Sequence, residues 1–258
     1  GSEMCIRDRS VTIKTPGEIE LMREAGRILA LVHEELGKII EPGISTYEID
    51  KEGERLIRSF SCIPSFLNYN GYPASICVSV NEEVVHGIPS RKRILKEGDI
   101  VSLDAGVIYK GYHSDAARTY GVGKISKEAE LLIENTKKSF FAGIEQAKAG
   151  NYLHDISNAI GKYAGDLGYG VVRDLCGHGI GTHLHEDPDI PNFIQKKRGI
   201  KLAAGMTLAV EPMINIGTYK VCWLDDDWTI VTYDGSLSAH YENTILITEE
   251  GCEILSIL

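Results

Sequence analysis

The feature that most restricts how this chain can fold is a repeat of its own pattern at an offset of 107 residues. Gly43 maps to Gly150, Ile49 to Ile156, Gly98 to Gly205 and Val101 to Leu208, and Asp104 maps to Glu211. Each half reads as helix, glycine stop, helix and strands, with an acid six residues after a glycine. Two such halves pack face to face. Their acids then meet at the junction.

Local signals give the elements. Thr15-Pro16-Gly17-Glu18 is a helix start, with a capping residue, a proline at the first helical position and a capping-box glutamate. Ile19, Met22, Ile28, Leu29, Val32 and Leu36 recur at helical spacing until Pro42-Gly43. Ser45 and Glu48 open a second helix to about Phe60. Ile76 to Val80 is a short strand, and Asp99–Tyr109 and Tyr112–Tyr120 flank Lys110-Gly111 as a β-hairpin. The second half predicts helices over about 127–148 and 153–167, and strands at 171–176, 206–213, 228–233 and 240–248.

At 258 residues with 43% hydrophobic content, the chain can bury a core without disulfides or structural metals. The six cysteines form no C-x-x-C pair and read as reduced thiols of a cytoplasmic protein. No apolar run approaches the roughly 18 residues of a membrane span, and no signal peptide opens the chain. A formal charge of −10 argues against nucleic acid as the main partner. The basic runs Arg91-Lys92-Arg93 and Lys196-Lys197-Arg198 read as solvated loops. Residues 1–9 carry no usable pattern and read as a tag or non-native segment. The remainder, 10–258, reads as a single domain of two halves, about 10–125 and 126–258.

The chemistry-bearing residues sit in apolar surroundings. With a two-residue turn at Lys110-Gly111, Asp115 lies opposite Gly106, so Asp104 and Asp115 project from one face as diagonal neighbours roughly 7 Å apart. They are either a cation site or two acids at a solvated strand edge. Glu211 lies in the apolar run Met206–Met213, where an unpaired glutamate is costly. Glu242 precedes another apolar strand and is either a further acid of the same candidate site or a surface acid. Cys176–Glu186 holds three histidines among glycines. Alternation puts His183 and His185 on one face if the segment is extended. A metal ligand, a hydrogen-bonding catalytic group and a solvated side chain are open for each. The stretch is neither a dinucleotide fingerprint nor a P-loop, and His33-Glu34-Glu35 does not continue into a zincin motif. His86, a lone histidine in a loop, is structural, solvated or functional. Together, two aspartates, two glutamates and histidines suit two divalent ions with oxygen and nitrogen ligands.

These motifs resemble the type I, bacterial-type methionine aminopeptidases over Val11 to Leu258. The segments that carry the likeness are Asn81–Pro89, Leu103-Asp104-Ala105-Gly106 with Asp115, Cys176–Glu186, Glu211-Pro212-Met213 and Ser238–Thr244. The resemblance implies the α/β (α+β) "pita-bread" fold, a mostly antiparallel curved sheet backed by helices with pseudo-two-fold halves. It implies two divalent ions (Co, Mn, Fe, Zn or Ni) on Asp104, Asp115, His178, Glu211 and Glu242. It implies removal of N-terminal methionine before a small second residue by a dimetal-bridged hydroxide. Glu211 would be the general base, His185 the oxyanion donor, and His86 the contact to the scissile nitrogen. The methionine pocket would comprise Phe66, Tyr69, Tyr72, Cys77, Leu184 and Trp228, although relatives often carry a cysteine at the first of these and an aromatic at Leu184. Asn81 and Ser238 match a monovalent-cation (Na or K) site.

The implied partners are peptide or nascent-chain substrates with transient ribosome contact, for a cytoplasmic monomer that binds neither DNA nor membrane. The 32 residues between His178 and Glu211 leave no room for the type II insertion. The competing readings are an Xaa-Pro-directed peptidase of the same fold and a non-catalytic peptide-binding protein.

Overall fold

A computed structural model describes residues 11–258; the reading of residues 1–9 lies outside them, as does Cys5. Four helices are formed among the described residues: α1 (Pro16–Lys38), α2 (Thr46–Ser59), α3 (Lys127–Ile144) and α4 (Leu153–Asp166). The first half contributes β1 (Ile63–Pro64), β2 (Ile76–Val80), β3 (Glu83–Val85), β4 (Ile100–Tyr109) and β5 (Tyr112–Gly121). The second contributes β6 (Gly170–Val171), β7 (Gly177–Gly179), β8 (Glu186–Ile190), β9 (Thr207–Val210) and β10 (Met213–Asn215). It continues with β11 (Val221–Trp223), β12 (Ile230–Thr232), β13 (Ser238–His240), β14 (Asn243–Ile247) and β15 (Cys252–Ile254).

The capping boxes form as the sequence dictates. The Thr15 hydroxyl accepts the Glu18 N–H at 3.3 Å while the Glu18 carboxylate accepts the Thr15 N–H at 3.0 Å. Ser45 and Glu48 do the same for α2. Each pair satisfies donors that a helix end would otherwise leave unpaired. Along α1, Ala25, Leu29, Val32 and Leu36 form the buried face. It packs with Ile49 and Ile57 of α2 onto Val78, Val101, Leu103 and Val107. A parallel core in the second half joins Phe140, Ile156, Ile160, Leu208, Val210 and Ile245.

The repeat is visible in these elements. Residues 46–59, advanced by 107, give 153–166, the range of α4. Gly43 and Gly150 have φ of +99° and +93°, and Gly98 and Gly205 both have +93°. This left-handed region admits glycine without strain, so the repeated glycines mark repeated turns. The strands correspond as well. β4 pairs with β5 so that Gly106 faces Asp115, and β9–β10 pair with β13–β14 so that Met213 faces His240. Lys110 and Gly111, with φ of +45° and +87°, form the two-residue turn that sets the first of these registers.

Several expected boundaries move for identifiable reasons. The 206–213 strand breaks at Glu211-Pro212, because proline cannot donate to the ladder. Its partner over 240–248 breaks opposite, at Tyr241-Glu242. There Glu242 leaves the ladder and exchanges backbone hydrogen bonds with Ala117 of the first half, at 3.1 and 3.2 Å. The 171–176 strand is reduced to Gly170–Val171, and the 228–233 strand to Ile230–Thr232. α3 stops at Ile144 rather than Lys148, because Ala149 and Gly150 donate to Thr248 and Leu202 instead of continuing the helix. Both basic runs are exposed, and the five described cysteines are free thiols. No helix among the described residues is long and apolar enough to cross a membrane.

β5 and β14 join the halves. Asp115 N–H donates to the Thr244 hydroxyl at 2.9 Å, and that hydroxyl donates to the Asp115 carbonyl at 2.8 Å. The half-buried Arg118 guanidinium donates to the carbonyls of Ala117, Glu242 and Ser256 and to Asn243 Oδ1, at 2.6–3.1 Å. Arg118→Met should therefore lower unfolding free energy by about 3 kcal/mol, since it leaves buried acceptors without a charged donor. Urea denaturation checks this, and a loss below about 1 kcal/mol would show that the network is not a structural tie.

Candidate metal centre

The halves meet at a cluster of carboxylates and imidazoles. β4 supplies Asp104, β5 Asp115, β7 His178, the break after β9 Glu211, and the break between β13 and β14 Glu242. His178 Nε2 lies 3.5 Å from Asp115 Oδ2 and 3.4 Å from Glu211 Oε1. His178 Nδ1 is 2.8 Å from the Gly179 carbonyl, which can only accept, so Nδ1 carries a proton and Nε2 is the nitrogen that faces the carboxylates. All five residues that the resemblance singled out as ligands are therefore in one place.

A sixth group stands there that the sequence reading passed over. His240, 1% exposed, has Nε2 3.3 Å from Glu211 Oε2 and 3.9 Å from Glu242 Oε2. The signal for it was present, because His240 is two residues before Glu242.

The electrostatics show what the cluster needs. Burial pushes the Asp104 carboxyl far above its ordinary range, and the charges of Asp115 and Glu211 push it further. Glu242 is raised in the same way by burial and by Asp115, Glu211 and Asp104. Burial also opposes ionisation of Glu211, but the adjacent His240 and His178 imidazoles outweigh it and hold this carboxyl below its usual value. Asp104 Oδ1, Asp115 Oδ1, both Glu242 carboxylate oxygens and His240 Nε2 are buried without a hydrogen-bond partner. Orphaned acceptors of this kind are rare in folded proteins. A cation is the one partner that satisfies several at once. Ligand atoms of Asp115, His178 and Glu242 lie within 4.8 Å of one another, as do those of Glu211, His240 and Glu242. Oxygen-rich donors with imidazole suit first-row divalent ions.

The cluster forms one wall of a cavity of about 70 Å³, whose other wall is Phe66, Tyr69, Tyr72, Cys77, Leu184 and Trp228. The Tyr72 hydroxyl donates toward the Ile76 and Gly87 carbonyls, and its ring meets Trp228 edge-on at 5.1 Å. His86 lines the cavity from a left-handed backbone conformation, φ +59°, which is strained for a non-glycine residue. Gly87 permits it, because a Cβ there would stand 2.2 Å from the Val78 carbonyl oxygen. Burial pushes the His86 imidazole below its ordinary pKa, against the pull of Glu211.

The segment carrying His183 and His185 is bent rather than extended, so alternation does not apply. His183 faces solvent and contacts Thr182. His185 turns to the site, its ring 4.2 Å from that of His178 and its Nδ1 2.8 Å from the Tyr69 hydroxyl. A groove of about 770 Å³ runs outward from Tyr69, Leu184 and His185 along Ser65, Asn68 and His113. Asn81 and Ser238 meet through the backbone, the Ser238 N–H donating to the Asn81 carbonyl at 3.0 Å. The Asn81 side chain is engaged with Asp99 and the Ile100 N–H.

Known proteins place this architecture. The model of metallopeptidase family M24 matches residues 20–249. A methionine aminopeptidase of Clostridium acetobutylicum is 53% identical over 96% of this chain and 99% of its own. The structure of methionine aminopeptidase from Thermotoga maritima superposes with a TM-score of 0.95 at 44% identity, covering 96% of this chain and all of that one. An Xaa-Pro dipeptidase from Bacillus anthracis shares the fold with a TM-score of 0.75 at 28% identity, but only 61% of that chain is covered, against 95% of this one. The chain belongs to metallopeptidase family M24, and within it to the methionine aminopeptidases.

Proposed function

We propose that this protein hydrolyses the bond after an N-terminal methionine in peptides and nascent chains whose second residue is small. The observation that carries this reading is the cavity itself. One wall is soft and apolar, the other a cluster of cation-seeking groups, and the cavity of about 70 Å³ lies between them. A thioether suits aromatic and sulfur neighbours such as Tyr72, Trp228 and Cys77. The outer groove gives the rest of the peptide a path.

Asp104, Asp115, His178, Glu211 and Glu242 would hold two divalent ions, whose four positive charges balance the four carboxylates. Bound there, the ions supply an acidified water and Lewis-acid polarisation of the carbonyl. The chain's own groups handle the protons. Glu211 takes a proton from the attacking water and delivers it to the departing amine. Tyr69 donates to His185 Nδ1, which leaves the Nε2 proton of His185 for the developing oxyanion. Burial keeps His86 neutral, so that it can meet the scissile nitrogen without adding charge.

Three outcomes test this. Purified protein with Co²⁺, Mn²⁺ or Fe²⁺ should release free methionine from Met-Ala and Met-Gly peptides. Cleavage of Xaa-Pro peptides with none of Met-Ala would move the activity to the proline-directed class. Glu211→Gln and His185→Ala should each lower turnover by about 10²- to 10⁴-fold with unchanged circular dichroism, and wild-type rates in either would refute the roles given.

The third outcome concerns pH. Asp104 and Glu242 have folded-state pKa values above their ordinary 3.8 and 4.5. Their contribution to stability is full below those values and is lost as pH rises toward the folded ones. Metal-free protein therefore weakens at this site as pH rises, and a bound ion cancels the loss. Saturating Mn²⁺ should raise Tm by about 5–10 °C near pH 8, and by clearly less near pH 6. Equal rises in differential scanning fluorimetry would show that the cluster does not hold the ion.

A further inference from the structure

The fold brings His240 to the cluster by the same construction that brings Asp115. β5 places Asp115 opposite Gly106, two residues beyond Asp104. β13 places His240 opposite Met213, two residues beyond Glu211. The pseudo-two-fold that carries Asp104 onto Glu211 therefore carries Asp115 onto His240. Both side chains are projected into the junction from equivalent register positions.

The contacts say what the imidazole does there. Its Nε2 is buried and lacks a hydrogen-bond partner, although it stands 3.3 Å from Glu211 Oε2 and 3.9 Å from Glu242 Oε2. Both Glu242 oxygens are likewise unpartnered. An imidazole nitrogen and two carboxylates with ligand atoms within 4.8 Å of one another bound a space that a single ion would satisfy. A hydrogen bond from His240 to Glu211 would leave the Glu242 oxygens orphaned.

We propose that His240 is a further metal ligand, giving a nitrogen donor to the ion seated between Glu211 and Glu242. This rests on the metallopeptidase reading above. The site then offers one imidazole on each side, His178 toward Asp115 and His240 toward Glu242. Imidazole adds a donor without adding charge, so the balance of four carboxylates against two divalent ions is kept. It also biases that position toward ions that favour nitrogen, such as Co²⁺, Ni²⁺ and Zn²⁺, over Mn²⁺.

The test uses the full chain, stripped of metal and reloaded, as wild type, His240→Gln and His240→Ala. Pulsed electron paramagnetic resonance of the Mn²⁺-loaded protein counts coordinated imidazole nitrogens, and calorimetric titration with Co²⁺ gives each affinity. Two imidazoles are expected in the wild type and one in His240→Gln. Affinity for one of the two Co²⁺ equivalents should fall about 10- to 100-fold or more, with the metal-free Tm within about 2 °C of wild type. The glutamine variant keeps a polar side chain of similar reach, so a folding defect in His240→Ala does not obscure the result. Two ions bound with a single imidazole in wild type and variant alike would overturn the His240 assignment and leave the peptidase reading intact. Failure of the wild type to bind either metal would overturn both.

Discussion

Four carboxylates, from Asp104, Asp115, Glu211 and Glu242, share one buried space, and much of the structure is arranged to hold them there. Left alone they repel, and burial together with that repulsion raises two of them far above their ordinary pKa. The chain restrains them through backbone rather than side-chain contacts. Glu242 is tied at its own N–H and carbonyl to Ala117, and Asp115 at its own N–H and carbonyl to Thr244. Arg118 sits behind both, donating to the carbonyl of Glu242 and to Asn243. The groups that repel are thereby mounted on the strands that hold the two halves together. A bound cation converts a destabilising cluster into a tie between the halves, which links metal affinity to fold stability.

The pseudo-symmetry explains the cluster, and its breaking explains the pocket. Asp104 and Glu211 are 107 residues apart, whereas Asp115 and His240 are 125 apart, so 18 more residues lie in the second hairpin's turn than in the first. Those residues make β11 and β12, and β12 crosses to pair with β3 of the first half, Ile230 facing Val85. The crossing delivers Trp228 to His86 and Tyr72, at ring separations of 6.3 and 5.1 Å. An exact dimer-like repeat would have two equal acid-bearing hairpins and no such aromatic wall.

Much of this was legible in the residues, for a physical reason in each case. Lys110-Gly111 reads as a two-residue turn, and such a turn fixes register, so the shared face of Asp104 and Asp115 followed. The repeated glycines were legible because left-handed turns admit few other residues. Pro212 also carried a signal, a strand break that puts Glu211 at the site, but the apolar run around it outweighed that signal in the reading. His183 and His185 misled because alternation presumes an extended backbone, and five consecutive bends lie there instead. His240 was legible only in part, since its two-residue spacing from Glu242 marks a shared face but not the strand it meets. Its place depends on pairing across the long turn from β10 to β13, and no local pattern encodes a register spanning such an insert.

The pocket and the metal cluster are locked together in register, and this has a consequence for specificity. Cys77 of the apolar wall is the direct cross-strand partner of Asp104. Leu184 adjoins His185 in sequence, and Trp228 lies two residues before Ile230, whose partner Val85 adjoins His86. Cys77 is thus positioned by the same backbone hydrogen bonds that position Asp104, and Leu184 and Trp228 are tied to polar neighbours by short stretches of chain. The separation of the apolar wall from the carboxylate cluster is then set at Cys77 and Asp104 by strand pairing. On the function proposed above, changes in bulk at Phe66 and Leu184 would alter which side chain fits without moving the carboxylate cluster. A change of register at β2–β4 would displace Cys77 and Asp104 relative to each other, and with them both walls of the cavity.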